Sequence, residues 1–315
     1  MASLPLVYVH GAGPQQPAPA WKHEVDLLLF GRDMPSTRVA HYADVRWGKP
    51  PGGGPTIAPT SSNRARRVKA IRASKEPHVS ARAAAASIVA ATLASPAPGG
   101  AGAAAAPAPP PPADLADAQR LVEQLYRRAD AVASKSSIAA PGTALGGPSF
   151  PDPIFRFIVG KFASDVIDYL YGPYTEAMRA PVRQALLKNP TPKVIVAHSL
   201  GTIILYDVLS EPALAGLAVN VLVTVGCPLG IGNVQDRLRN QAGRPNPVPS
   251  QLTAWSNFAD RWDPVALDPT LHDEFQPPPN FAKDTTVNNP ARNNHDLTGY
   301  LSVAIVHSAV VDAAG

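Results

Sequence analysis

A serine in the middle of the chain has the neighbours expected of an activated nucleophile. Ser199 follows the β-branched run 194–196 and precedes a run compatible with a helix, 202–209. Ala197 lies two residues before it and Gly201 two residues after it. This spacing is typical of a nucleophile elbow, a strained strand-to-helix turn that exposes one side chain and tolerates only small neighbours. An ordinary strand-loop-helix connection is the alternative interpretation.

A serine hydroxyl is a weak nucleophile, so it needs a base, and the base needs an acid that orients it. In a parallel sheet, such groups lie on loops that follow the carboxyl ends of strands. Asp263 follows a strand predicted at 252–258 and is the candidate acid, although an Asp-Pro pair also opens ordinary turns. Asp260 is the rival, and we favour Asp263 because it begins the sequence Asp-Pro-Val-Ala.

His295 is the candidate base among the eight histidines of the chain. It lies in a polar loop before the predicted last helix and completes the chain order Ser, Asp, His. We expect His198 to point away from the nucleophile, because adjacent strand residues face opposite sides. The remaining histidines precede the serine, follow the acid too closely or lie within the predicted last helix; they are His10, His23, His41, His78, His272 and His307.

Acyl transfer also requires two backbone N–H donors for the oxyanion that forms on the attacked carbonyl. The N–H of Leu200, the residue after the serine, is the first predicted donor. The second is predicted in the loop that follows the strand 6–9, from Ala12 or Gly13, and the sequence leaves this choice open. A plain tight turn is the alternative interpretation of that loop.

Four short segments and one histidine carry a resemblance to a known family; they are 7–13 (Val-Tyr-Val-His-Gly-Ala-Gly), 197–202 (Ala-His-Ser-Leu-Gly-Thr), 226–230 (Gly-Cys-Pro-Leu-Gly), 263–266 (Asp-Pro-Val-Ala) and His295. Together they resemble the α/β-hydrolase superfamily, specifically its serine esterases and lipases. The resemblance covers residues 4–47 and about 154–315, and it implies a Ser199-Asp263-His295 triad, an acyl-enzyme intermediate and no cofactor. Ala197, where glycine is commoner, resembles a variant of some bacterial lipases.

The elements that would position these residues alternate between strands and helices. This alternation predicts an α/β fold whose mostly parallel sheet is covered by helices on both faces. Hydrophobic periodicity predicts strands at 6–9, 38–47, 194–197, 219–225 and 252–258. It predicts helices at 21–30, 115–132 with Asp114 as the N-cap, 154–171, 175–187, 202–209 and 297–311.

A Pro/Ala-rich insertion at 50–150 interrupts the single α/β-hydrolase domain predicted over 1–315. Residues 91–113 are nearly all Ala, Pro and Gly, which predicts a disordered tether. The apolar helices near it are predicted to pack as ordinary core, with a cap or lid over the serine as the alternative. A basic stretch predicts a solvated arm or helix face or, less favoured, a weak contact with an anionic membrane surface or a polyanion. Its cations are Arg64, Arg66, Arg67, Lys69, Arg72, Lys75 and Arg82.

Bulk properties exclude several other functions. The net charge of +4 gives no argument for nucleic acid, and the single Cys227 rules out an intramolecular disulfide. We find no signal peptide and no metal-binding, phosphate-loop or complete dinucleotide motif, so we expect a cytoplasmic protein without metal or cofactor. The expected partner is a small or lipid-like ester. A thioesterase, an acyltransferase and a non-catalytic binding protein are the alternatives.

Overall fold

The computed structural model describes residues 4–47, 61–76, 78–94, 110–138, 152–188, 193–239, 246–276, 281–291 and 294–315. The chain folds into two compact units. The first unit comprises Met1–Gly11, Gln16–Tyr42 and Arg179–Gly315, and the second comprises Ala12–Gln15 and Ala43–Met178. The expectation of one domain with an insertion at 50–150 stays a prediction.

A parallel sheet of six described strands forms the centre of the first unit, in the order β2-β1-β3-β4-β6-β8. The inner strands are rich in Val, Leu and Ile because a parallel strand is buried on both faces. A separate pair, β5 and β7, is also parallel. The strands are β1 (Leu6–Val9), β2 (Arg38–Ala40), β3 (Lys193–His198), β4 (Val219–Val225), β5 (Asn246–Pro247), β6 (Leu252–Asp260), β7 (Phe275–Gln276) and β8 (Phe281–Val287).

Eleven α-helices are described, together with one short 3-10 helix at Pro212–Leu214. The α-helices are α1 (Ala18–Phe30), α2 (Ala43–Trp47), α3 (Ser61–Ser74), α4 (Ala81–Leu93), α5 (Pro112–Ile138), α6 (Asp152–Leu170), α7 (Thr175–Leu187), α8 (Leu200–Leu209), α9 (Gly232–Arg239), α10 (Leu297–Ser302) and α11 (Ala304–Ala314). In the first unit, α1, α10 and α11 pack their apolar side chains against β1, β3, β4 and β6. Helix α8 packs on β1 and β3. The alternation of strands and helices confirms the predicted α/β class.

The described part of the second unit is helical. Helix α5 buries one apolar stripe at spacings of three and four residues, which is the period of a helix packed on one side. Its members are Ala118, Leu121, Val122, Leu125, Tyr126, Ala129 and Val132. Helix α4 buries Ile88 and Val89, and Ser80 caps its N-terminus by accepting a bond from the Ala83 N–H.

Two arginines and two aspartates form a buried ionic network in the second unit. Arg46 pairs with Asp165 and Asp168, and Arg67 lies 3.2 Å from Asp168. Arg46 also donates to Ser164 over 2.7 Å. Charged groups are almost never buried without partners, because leaving water costs each of them several kcal/mol. The network therefore fixes α2, α3 and α6 relative to one another within this unit.

Three sequence predictions differ from the structure. The alternation over 38–47 predicts one strand, but β2 ends at Ala40 and the short helix α2 follows, with Arg46 drawn into the ionic network. The predicted last helix, 297–311, divides at Val303, whose backbone is extended (φ −72°, ψ 122°). The predicted tether is wrong at its ends, because residues 91–93 belong to α4 and Pro112 begins α5. Residues 95–109 lie outside the described part.

The basic stretch forms most of helix α3, which the periodicity did not predict. Arg64, Arg66, Lys69 and Arg72 lie along it, and Arg64, Arg66 and Arg72 are exposed. Arg67 is buried, because it belongs to the ionic network. The stretch is therefore mostly a solvated helix face, with one cation that serves the core.

Candidate active site

Ser199 occupies a strained turn between β3 and α8. Its φ of 54° makes it the one non-glycine residue with a positive φ in the described part of the chain. Such a conformation costs an ordinary side chain roughly 1–3 kcal/mol and persists only where the surroundings impose it. The turn is held by the Ser199 N–H, which donates to the Val225 carbonyl over 3.2 Å, and by Thr202, whose hydroxyl donates to the Ser199 carbonyl over 2.7 Å.

Gly201 makes the strained turn possible. A Cβ at this position would lie 2.7 Å from the main-chain oxygen of Val9, closer than real Cβ atoms approach backbone. The first turn of α8 therefore passes directly over the end of β1. This contact is the physical reason for a small residue two positions after the serine.

The structure brings together the three side chains that the sequence proposes as a triad. His295 Nε2 lies 2.7 Å from Ser199 Oγ, and His295 Nδ1 lies 2.8 Å from Asp263 Oδ2. Ser199 and Asp263 are fully buried, and His295 is 7% exposed. Each residue follows a different strand of one parallel sheet: Ser199 follows β3, Asp263 follows β6, and His295 lies in the loop between β8 and α10.

The Asp263 carboxylate is held by donors on both oxygens. Oδ1 accepts the N–H groups of Val265 (2.8 Å) and Ala266 (3.3 Å), so the Asp-Pro-Val-Ala segment closes a turn on its own first side chain. Burial alone would raise the pKa of Asp263, but the charge and hydrogen bond of His295, together with the Val265 N–H and the Tyr300 hydroxyl, lower it below the usual value. The carboxylate is thus kept ionised.

Tyr300 is a site residue that the sequence did not indicate. Its hydroxyl donates to Asp263 Oδ2 over 2.8 Å and accepts the main-chain N–H of Asp260 over 2.9 Å. Burial, and then the negative charge of Asp263, raise the pKa of Tyr300 well above its usual value. The phenol therefore stays protonated and acts as a fixed donor. A tyrosine in an apolar helix resembles ordinary core, so spacing alone could not have found it.

Asp260, the rival acid, contacts the His295 loop rather than the imidazole. Its Oδ2 accepts the Asn289 N–H over 2.6 Å and the Asn294 side-chain amide over 3.2 Å. Asn289 in turn donates to the main-chain oxygens of Asn294 and Asp296. Asp260 therefore acts as an anchor for the loop that carries His295.

His198 lies beside His295 rather than away from it. Its Nε2 is 2.8 Å from the main-chain oxygen of His295, and the two ring centroids are 4.7 Å apart. The expectation that His198 lies on the other side was therefore wrong: the positive φ of Ser199 interrupts the alternation of strand side chains at this point. Burial, and then the neighbouring His295, lower the pKa of His198 to about 3, so its ring is neutral.

Two glycines allow backbone to approach the triad closely. A Cβ on Gly226, whose φ is +56°, would lie 2.8 Å from Asp263 Oδ2 and 3.1 Å from His295 Nδ1. A Cβ on Gly11 would lie 2.7 Å from His198 Nδ1 and 3.0 Å from Ser199 Cβ. The glycines at the ends of β1 and β4 therefore serve the site directly.

The predicted oxyanion donors fall in both units. Leu200 begins α8, so its N–H belongs to the first turn of a helix, where backbone donors have no helical partner. Ala12 and Gly13 group with the second unit, in which the Gly13 N–H donates to Asp165 Oδ2. That bond engages the Gly13 N–H within the second unit, and the choice between Ala12 and Gly13 stays a prediction.

Other types of site find no support in the part of the chain that the structure describes. Those residues include no group of three or more His, Cys, Asp and Glu side chains placed to hold a metal ion. Within the same residues, no helix is both long and apolar enough to cross a bilayer. Comparison of the chain with protein-family models, with curated proteins and with solved structures gave no match.

Proposed function

We propose that the protein is a serine hydrolase of the α/β-hydrolase type that cleaves carboxylic esters. The observation that carries the proposal is the continuous hydrogen-bonded chain from Ser199 Oγ through His295 to Asp263, with contacts of 2.7 and 2.8 Å. The chain order Ser, Asp, His and the strand-to-helix turn at Ser199 support the same class. A serine held at a positive φ adds support, because backbone strain of this kind concentrates at functional sites.

In the proposed reaction, His295 Nε2 takes the proton from Ser199 Oγ as that oxygen attacks the ester carbonyl. The N–H of Leu200 is the first proposed donor to the resulting oxyanion, and Ala12 or Gly13 stays the predicted second donor. Asp263 keeps the proton of His295 on Nδ1 and stabilises the imidazolium. The imidazolium then gives its proton to the departing alcohol. Water, deprotonated by His295, attacks the acyl-enzyme and releases the carboxylic acid and Ser199.

The same triad would serve a thioesterase or an acyltransferase, which differ in the leaving group or in the final acceptor. A non-catalytic binding protein on this fold is the proposal from another class. The hydrogen-bonded triad favours an enzyme, because a binding role gives no reason to bury an aspartate behind a histidine that contacts a strained serine.

Labelling with a fluorophosphonate probe tests the proposal. We expect the wild-type protein to be labelled and Ser199→Ala to remain unlabelled, and we expect Ser199-dependent turnover of p-nitrophenyl esters. A parallel panel of thioesters, and of alcohols as acyl acceptors, would separate the three catalytic alternatives. Absence of both labelling and turnover in folded wild-type protein would remove the enzyme proposal.

Location and surface contacts form a secondary proposal. The single buried Cys227 suits a reducing compartment such as the cytoplasm. The cations on the solvated face of α3 would give a weak, purely electrostatic contact with anionic lipid. Salt-sensitive binding to phosphatidylserine vesicles, lost when Arg64, Arg66, Lys69 and Arg72 are all changed to Gln, would support this contact. Equal sedimentation of the wild-type protein and of this variant with the vesicles would exclude the contact.

A further inference from the structure

The hydroxyl of Tyr300 has a single possible orientation. The main-chain N–H of Asp260 can only donate, so the Tyr300 oxygen must accept from it, at 2.9 Å. The one proton of the phenol is then directed to the carboxylate of Asp263, 2.8 Å away. Tyr300 is fully buried at the start of the last helical region, in α10, and water does not compete for this bond.

Asp263 Oδ2 therefore has two donors, His295 Nδ1 and the Tyr300 hydroxyl. Oδ1 is occupied by backbone N–H groups of its own turn. Every donor withdraws charge from the oxygen that it contacts, so the two donors on Oδ2 share the charge that stabilises the imidazolium. The phenol proton of Tyr300 is committed to Asp263, so Tyr300 acts on His295 through that carboxylate.

We propose that Tyr300 is a positioning residue that aims Asp263 Oδ2 at His295 and sets the pH at which His295 releases its proton. The inference rests on the proposed function. The titratable groups around this contact are Asp260 at the end of β6, Asp263 after it, His198 at the end of β3, and His295 and Asp296 before α10. The pKa of His198 is lowered and that of Tyr300 is raised, so both of these groups stay neutral.

The direction of the effect follows from the shared oxygen. When Tyr300→Phe removes one donor, Oδ2 carries more charge and holds the imidazolium more strongly. His295 then keeps its proton to a higher pH, so the acid limb of kcat/KM moves upward. Replacement of Tyr300 by 3-fluorotyrosine strengthens the hydroxyl as a donor and should move the acid limb of the kcat/KM profile to lower pH. This second variant retains the hydroxyl and both bonds, so it is expected to fold.

The experiment measures kcat/KM for a p-nitrophenyl ester across the acid limb of its pH profile. We expect Tyr300→Phe to raise the acid-limb midpoint by about 0.5 pH units and the fluorinated protein to lower it by about 0.3. Tyr206→Phe is the matched control, because it also removes a hydroxyl bond in this unit, to the Pro247 carbonyl, away from the triad. Its midpoint should equal that of wild type.

An NMR titration separates this inference from the proposed function. With imidazole-labelled histidine in the Ser199→Ala background, the titration of His295 is recorded without turnover. Opposite displacements of that titration in the two Tyr300 variants support the positioning role even if esters are not hydrolysed. Unchanged midpoints in both variants, with only the amount of active protein reduced, would overturn the inference and leave Tyr300 as a structural residue.

Discussion

Nε2 of His198 lies 2.8 Å from the carbonyl oxygen of His295, so the residue before the candidate nucleophile holds the backbone of the candidate base. The carbonyl can only accept, so Nε2 carries the proton. Because burial and the neighbouring His295 lower the pKa of His198 to about 3, its ring stays neutral above that pH and this donor does not change over the working range. The distance between Ser199 and His295 thus depends on a third, non-titrating side chain.

His198→Phe should weaken catalysis without changing its pH dependence. The carbonyl of His295 would lose its donor in a buried place, which costs about 1–3 kcal/mol, and we expect kcat to fall at least tenfold. His198→Gln, which retains an N–H donor, should recover part of the loss. Steady-state kinetics and urea unfolding check this prediction. Wild-type kinetics in the Phe variant would show that the bond does not position His295.

Gly226→Ala should inactivate the site. The new Cβ would lie 2.8 Å from Asp263 Oδ2 and 3.1 Å from His295 Nδ1, and displacing the triad by such an amount costs on the order of 100-fold in kcat. Gly31→Ala is the matched control, because its φ is also positive (+65°) but its Cβ would meet nothing within 4 Å. Both variants should lose stability from backbone strain, and Gly226→Ala should lose more because of the clash. An equal loss of activity in both would contradict a steric effect at the triad.

Separate substitutions of Asp260, at the end of β6, and of Asp263, just after it, should distinguish the roles of these two aspartates. Asp263→Asn removes the charge behind His295, and we expect kcat to fall by about 10⁴. Asp260→Asn weakens only the anchor of the loop, so its loss should be about 10- to 100-fold. Ester kinetics on both purified variants provide the measurement. A larger loss in Asp260→Asn would reverse the two assignments.

Glu274 predicts a pH dependence of stability. Burial, and then Asp268 and Asp273, raise its pKa from 4.5 to about 7. The folded state therefore favours the protonated acid, and stability is lost as pH rises from about 4.5 to 7. The Glu274→Gln side chain is neutral at every pH. Above the folded-state pKa of Glu274, about 7, this variant should unfold at a higher temperature than wild type, and below the unfolded-state pKa of 4.5 the two proteins should unfold at similar temperatures. If the difference in unfolding temperature between the variant and wild type were the same in both pH ranges, titration of Glu274 would be ruled out.

The ionic network of the second unit predicts a large cost for a single substitution. Asp168→Asn would leave Arg46 and Arg67 buried with too little negative charge, which should destabilise the fold by about 3–5 kcal/mol. Glu123→Gln breaks the Arg127–Glu123 pair, whose arginine is largely exposed, and should cost less than about 1 kcal/mol. Urea unfolding measures how much free energy of unfolding each variant loses. Similar losses in Asp168→Asn and Glu123→Gln would mean that the network is fully solvated.

Local patterning predicted the elements on which the candidate site depends. The β-branched run before Ser199 and the small residues around it are constrained by contacts within one turn, as the position of Gly201 against Val9 shows. The choice of Asp263 followed from the end of a predicted strand, and that of His295 followed from chain order and from its loop before the predicted last helix. These features are local or topological, so they can be derived from sequence.

The roles that the sequence did not assign correctly depend on long-range contacts. Tyr300, His198 and Asp260 each reach a partner that lies far along the chain or beyond another strand. Helix α3 was missed because its buried side includes Arg67, a charged residue whose burial depends on distant partners such as Asp168. Strand β8 lies at the sheet edge and contains Lys, Asp and Thr, so its pattern is too polar for hydrophobic periodicity to indicate it.

The left-handed backbone of Ser199 has an evolutionary consequence. At this position a glycine would relax the strain but would lack the hydroxyl, so selection for thermal stability and selection for chemistry favour different residues. A lineage that no longer needed the reaction would gain stability by drifting to glycine here. Under the proposed function, the identity of residue 199 in a descendant of this chain therefore indicates whether that descendant has kept the reaction.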